Sequence, residues 1–284
     1  MIEKVHITVL VENTAEGPSL LAEHGLAFHI QLASQSVLFD TGQGRILMFN
    51  AYRLGLSLQQ VHAVVLSHGH YDHTGGLADA LRGNRLAAIY AHPAALEPKF
   101  ARNQDGTSRS IGIPGPCERA LERRRERLVL TEQPTRIVNG LMVTGPVPRV
   151  TDFEDTGGPF FLDAECSRPD PLVDDQAVFF ASSRGTVVLL GCAHSGVINT
   201  LRYVRHLTDN RPIHAVLGGM HLLAASAERL RRTIEEFQRW GIDRLGPAHC
   251  TGRIATAALW QAMPEHCLAC HVGARFEFDL LPPP

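Results

Sequence analysis

Three histidines and a carboxylate fall within six consecutive positions, His68-Gly69-His70-Tyr71-Asp72-His73. Imidazole nitrogens and carboxylate oxygens bind divalent cations, and a short turn leaving the apolar run Val61 to Leu66 brings these side chains together. His68 and His70, two positions apart, can face one ion, while Asp72 and His73 point to a second position beside it. Thr74-Gly75-Gly76 closes the motif where a helix begins. A polar surface turn rarely carries this pattern, so the loop is expected to supply ligands for two metals.

The surrounding sequence must present that loop. Apolar runs predict strands over His6 to Val11, Leu26 to Ala33, Val37 to Phe39, Val61 to Leu66 and Leu86 to Tyr90, with helices over Ile46 to Leu54 and Gly76 to Leu81. Later strands are expected at Arg136 to Thr144, Gln176 to Ala181, Thr186 to Leu190, Ile213 to Leu217 and Arg244 to His249, and helices at Val197 to Leu207, Ala227 to Trp240 and Ile254 to Trp260. Two Gly- and Pro-rich stretches, about 93–118 and 145–175, break the pattern. Loops of that length are usually functional or disordered. Lys99, Arg102 and Arg109 in the first could neutralise a phosphorylated substrate, since arginine grips phosphate through two hydrogen bonds.

Three successive late strands each end at a histidine in a Gly-flanked turn: His194, His221 and His249. Ends of strands on one sheet edge open into a common cleft, so these histidines should meet His68, His70, Asp72 and His73. His6, His29, His62, His206, His214 and His266 lack this context and read as structural or surface residues. Histidine and carboxylate donors without cysteine suit one or two Zn²⁺ first and Mn²⁺ next, with Fe or Mg²⁺ as further options. Such ions activate water near neutral pH and stabilise a leaving oxygen. Asp72 could position the nucleophile while coordinating, and His221 could donate to a developing oxyanion or leaving group.

Composition narrows the partners. A chain of 284 residues with 44 % hydrophobic content can bury a sizeable core, and its net charge of -2 gives no footprint for nucleic acid or acidic membranes. A small molecule is the expected partner. Met1-Ile2-Glu3-Lys4-Val5 runs straight into a strand-like segment with no leader pattern or membrane span, which makes the cytoplasm the expected compartment. The six cysteines then read as reduced thiols. Cys267-Leu268-Ala269-Cys270-His271 matches the covalent haem attachment pattern. Without export, and with an alternating run following, buried strand cysteines are expected there instead of haem.

Several segments together resemble the metallo-β-lactamase superfamily, nearly end to end: Val11-Glu12-Asn13, Glu23 to Leu26, Phe39 to Gln43, Ser67 to Leu77, Gly191 to Asn199, Gly218 to Leu222 and Ala248 to Gly252. Within it they are similar to the branch of 7,8-dihydropterin-6-methyl-4-(β-D-ribofuranosyl)aminobenzene 5'-phosphate synthases. The resemblance implies an α/β (α+β) fold, a four-layered αββα sandwich over residues 1–284, with the metal site at the edge of its two sheets. It implies His68, His70 and His194 as ligands of a first metal, Asp72, His73 and His249 as ligands of a second, and Asp40 as support behind the loop. Many members bridge the metals with an Asp where this chain has Gly219-Met220-His221, so either His221 binds metal or substrate or a nearby carboxylate bridges. Hydrolysis of an ester- or phosphoester-type bond is the expected chemistry. The alternatives are transfer of a dihydropterin methyl group from its diphosphate to an aminobenzene ribofuranosyl phosphate acceptor, and metal sensing without turnover.

Overall fold

A computed structural model describes residues 3–281. Its first strands, β1 (Lys4–Val11), β2 (Ala27–Leu32) and β3 (Gln35–Phe39), form an antiparallel meander. Helix α1 (Leu47–Arg53) leads to β4 (Ala63–Val65), two one-turn helices α2 (Tyr71–Thr74) and α3 (Leu77–Ala80), and β5 (Ala88–Ala91). Then come β6 (Phe100–Arg102), β7 (Ser108–Ser110), α4 (Gly115–Glu122), β8 (Leu128–Leu130), β9 (Thr135–Val138), β10 (Leu141–Val143) and β11 (Phe160–Phe161). The last part comprises β12 (Ala177–Ser182), β13 (Gly185–Leu190), α5 (Val197–Leu207), β14 (Ile213–Gly219), α6 (Ala227–Arg239), β15 (Arg244–Ala248), α7 (Arg253–Ala262) and β16 (Arg275–Asp279).

One sheet runs β16-β1-β2-β3-β4-β5-β8 and a second β15-β14-β13-β12-β10-β9. Central strands are apolar on both faces, which buries them on both sides. In β3, Val37 and Phe39 enter the core between the sheets while Leu38 packs beneath the helices; in β13, Val187 and Leu189 face inward while Val188 and Leu190 meet the helices on the other side. Helices, sheet, sheet and helices thus form the four layers that the sequence led us to expect. The strands that end at the functional loops are parallel to their neighbours: β3 with β4, and β13 with β14 and β15. Their carboxyl ends therefore share one edge. Gln176 fastens the sheets there, its backbone N–H donating to Ser67 O at 3.0 Å and its side-chain amide to Leu66 O at 2.8 Å.

The structure departs from the sequence reading in three places. Arg136 to Thr144 is a hairpin and not one strand, because Asn139-Gly140 turns the chain with Gly140 at φ +80°. The stretch 93–118 contains β6, β7 and α4; α4 buries Cys117, Ala120 and Leu121 against the first helical layer, a stripe its many polar residues conceal. From 145–175, β11 pairs with β6, so both irregular stretches contribute to a separate three-stranded sheet, β11-β6-β7. No helix among the described residues is long and apolar enough to cross a membrane.

Candidate metal centre

Beyond β4 the chain passes through Ser67, which is tied to Asp40 at the end of β3: Ser67 N–H donates to Asp40 Oδ1 at 2.7 Å and Ser67 Oγ to Oδ2 at 2.6 Å. With its proton committed, Ser67 Oγ accepts from His68 Nδ1 at 2.8 Å, which leaves the His68 Nε2 lone pair free, 3.0 Å from His70 Nδ1. His73 Nδ1 donates to Asp40 Oδ2 at 2.7 Å. His249 Nδ1 donates to Asn13 Oδ1 at 2.9 Å, and that oxygen also accepts from Gly25 N–H at 3.2 Å. The ε nitrogens of His73 and His249 then face each other at 3.2 Å. His194 Nδ1 donates to Thr156 O at 2.9 Å, and its Nε2 is buried without a partner, as is Nε2 of His70.

Imidazole nitrogens, the usual donors to divalent cations, converge in this buried pocket. Asp72 Oδ2, 3.3 Å from His249 Nε2 and 3.9 Å from His73 Nε2, adds negative charge at that point. Donors around a four-coordinate Zn²⁺ bound through nitrogen stand about 3.3 Å apart, so these spacings fit one ion. The electrostatics agree. Burial, then the neighbouring histidines, hold His68 and His194 well below the usual imidazole range, and burial takes His70 down to about 3, so these rings stay neutral. Burial would also depress His73, but Asp40 and then Asp72 outweigh it and raise the ring to about 9. Although burial opposes it, the His73 charge and the hydrogen bond from His24 keep Asp72 well below the carboxylate range. The donor set fits a divalent cation.

Close approach shapes the rim. A Cβ on Gly191 would stand 2.1 Å from Ser67 Oγ, and one on Gly157 would lie 1.7 Å from the His221 ring. His221 sits at φ +46°, its ring 4.2 Å from that of His194, with Nε2 donating to Gly157 O at 3.3 Å and Nδ1 buried without a partner. Asp40, Ala193 and His249 also have positive φ, so four turns at strand ends carry backbone strain that surrounding contacts must maintain.

The cleft above these residues has a volume of about 920 Å³, and Arg109 and His221 both line it. Lys99 does not act there. It is fully buried, its ammonium 2.8 Å from Asp170 and 3.1 Å from Asp174, and the far oxygen of Asp174 accepts from Gly69 N–H at 2.8 Å. Arg102 is likewise engaged elsewhere, donating to Cys166 O at 3.0 Å and lying over the Phe161 ring. Cys267 and Cys270 are buried in different cores, Cys267 under the helices of the second sheet and Cys270 between the sheets, so they do not form a pair.

Several site residues had escaped sequence reasoning. His24, half-exposed, stands 3.0 Å from Asp72. The Phe160 ring lies 5.1 Å from that of His70, tilted, and 5.3 Å from that of His194, edge-on, and Arg253 and Trp260 of α7 line the cleft. Cys192 lies 3.1 Å from His73 Nε2. Its signal was readable: Cys192-Ala193-His194 repeats the two-residue spacing of His68 and His70.

Comparison with known proteins adds relatives. The family described as the Metallo-beta-lactamase superfamily matches residues 22–214. The chain is 27 % identical, over 98 % of both lengths, to 7,8-dihydropterin-6-methyl-4-(beta-D-ribofuranosyl)-aminobenzene-5'-phosphate synthase of Methanocaldococcus jannaschii. It is 32 % identical to an uncharacterized protein of the same organism, covering 94 % of this chain and 98 % of that one. A crystal structure of a metal-dependent hydrolase of the beta-lactamase superfamily superposes with a TM-score of 0.79 at 27 % identity, covering 96 % of this chain and 98 % of the other.

Proposed function

The chain belongs to the metallo-beta-lactamase superfamily, and from that premise we propose that it hydrolyses an ester- or phosphoester-type bond of a small molecule at a centre of one or two divalent cations, Zn²⁺ first among them. His68, His70 and His194 would hold one ion and Asp72, His73 and His249 the other. The observation that carries this reading is the outward commitment of four δ nitrogens, to Ser67, Asp40, Thr156 and Asn13, which turns four ε nitrogens inward. Bound there, the metal supplies Lewis acidity that activates water and stabilises a leaving oxygen.

The protein's own groups orient and exclude. Asp40 fixes two imidazoles through Ser67 and His73, a role that supporting hydrogen bonds play behind metal ligands. Phe160 covers the histidines and keeps bulk water off them. His221, on the cleft wall, is positioned to hydrogen-bond a substrate oxygen, and Arg109 and Arg253 supply the positive charge that a phosphorylated substrate needs. Protein purified without chelator should contain one to two metal ions per chain and cleave at least one of p-nitrophenyl phosphate, its diester, a lactone or a thioester. His68→Ala should lose metal and activity together. Absence of bound metal would sink the proposal.

A second reading is favoured by the likeness to a synthase over nearly the whole chain. On it the same centre holds a dihydropterin methyl diphosphate while an aminobenzene ribofuranosyl phosphate attacks. Release of diphosphate only when both substrates are present, with the four hydrolytic probes inert, would select it.

A further inference from the structure

We propose that the Cys192 sulfur is a metal ligand shared by the two cation positions, standing in for the acidic bridge that this chain lacks at the end of β14. The inference rests on the metal-dependent reading above. Cys192 is the common member of three donor groups: with His68 and His194, with His73 and His249, and with His221 and Cys250. Within each group the ligand atoms lie within 4.8 Å of one another. No other residue joins the two half-sites in this way among the described residues.

The sulfur faces the ε nitrogen of His73: Cys192 Sγ lies 3.1 Å from His73 Nε2, while Nδ1 of that ring donates to Asp40. His249 Nε2 lies 3.2 Å from the same His73 nitrogen, so a cation placed among them would meet three donor atoms. The neighbouring strand end packs closely against this backbone: a Cβ on Gly219 would stand 2.3 Å from Gly191 O, 2.6 Å from Cys250 Sγ and 3.3 Å from Cys192 Cα, so only glycine fits there. The backbone also fixes Cys192, since Gly219 N–H donates to Gly191 O at 3.2 Å and Ala193 turns at φ +56°, so that Cys192 and His194 both reach the centre.

Coordination exchanges the S–H bond for a metal–sulfur bond, and the proton leaves to water with no change of oxidation state. A thiolate favours Zn²⁺, or iron, over Mn²⁺ and Mg²⁺. The test is X-ray absorption at the zinc edge of the zinc-loaded full chain. We expect a sulfur scatterer at about 2.3 Å beside nitrogen and oxygen at about 2.0–2.1 Å. It should persist in Cys250→Ser and vanish in Cys192→Ser. The cobalt-loaded protein should show a sulfur-to-metal charge-transfer band with the same dependence. Nitrogen and oxygen alone around bound zinc, sulfur that survives Cys192→Ser, or sulfur lost in Cys250→Ser would each overturn the assignment while leaving the metalloenzyme reading intact. If Cys192→Ser does not fold, the wild-type and Cys250→Ser spectra decide. A chain that takes up no metal overturns both.

Discussion

Asp40 accepts three hydrogen bonds, from Ser67 N, Ser67 Oγ and His73 Nδ1, and so decides which nitrogen of two histidines faces inward. Asp40→Asn would replace one acceptor oxygen with an amide and turn a donor against a donor. We expect metal affinity to fall about 10–100-fold, measured by competition with a chromogenic chelator; unchanged affinity would remove Asp40 from this role. The same carboxylate sets a pH dependence. In the metal-free chain His73 holds a proton up to about 9, because Asp40 and Asp72 overcome the penalty of burial. A metal must displace that proton. Apparent affinity should therefore rise with pH up to about 9, by about tenfold per unit for this displaced proton alone. A flat profile between neutrality and that point would contradict the ordering of these charges.

Among the elements, β6 is anchored by one residue. Lys99 lies between Asp170 and Asp174, and Asp174 holds Gly69 within the metal loop. Lys99→Met would leave two buried carboxylates uncompensated, at a cost of about 3–5 kcal/mol, measurable by urea unfolding. A loss below about 1 kcal/mol would mean that the carboxylates find other partners. This lysine also marks the limit of reading elements from sequence. The strands that end at His68, His194, His221 and His249 were legible because unbroken apolar runs stop at glycine-flanked histidines, a local signal. Lys99 read as a charge for a phosphorylated substrate because its partners are 71 and 75 positions away, a separation no local pattern encodes. Helix α4 was hidden by the glycines and prolines before it, and Cys192 by the stronger histidine pattern around it.

For the whole molecule, the proposed ligands divide between the sheets: His68, His70, Asp72 and His73 follow β4 of the first, and His194 and His249 follow β13 and β15 of the second. Metal binding would therefore clasp the two sheets at their shared edge. At a hundred times its Kd a ligand of the folded state adds about 2.7 kcal/mol. At about 2–4 °C per kcal/mol, removing metal with chelator should lower Tm by roughly 5–10 °C, and added Zn²⁺ should restore it. An unchanged Tm would argue against a clasp. One wall of the cleft has another origin. Ala101 and Arg109 come from β6 and β7 and Phe160 from β11, the small sheet apart from the two that carry the proposed ligands. Descent can therefore act on the two parts at different rates: a lineage could exchange the small sheet and acquire a new substrate while inheriting the ion-holding strand ends unaltered.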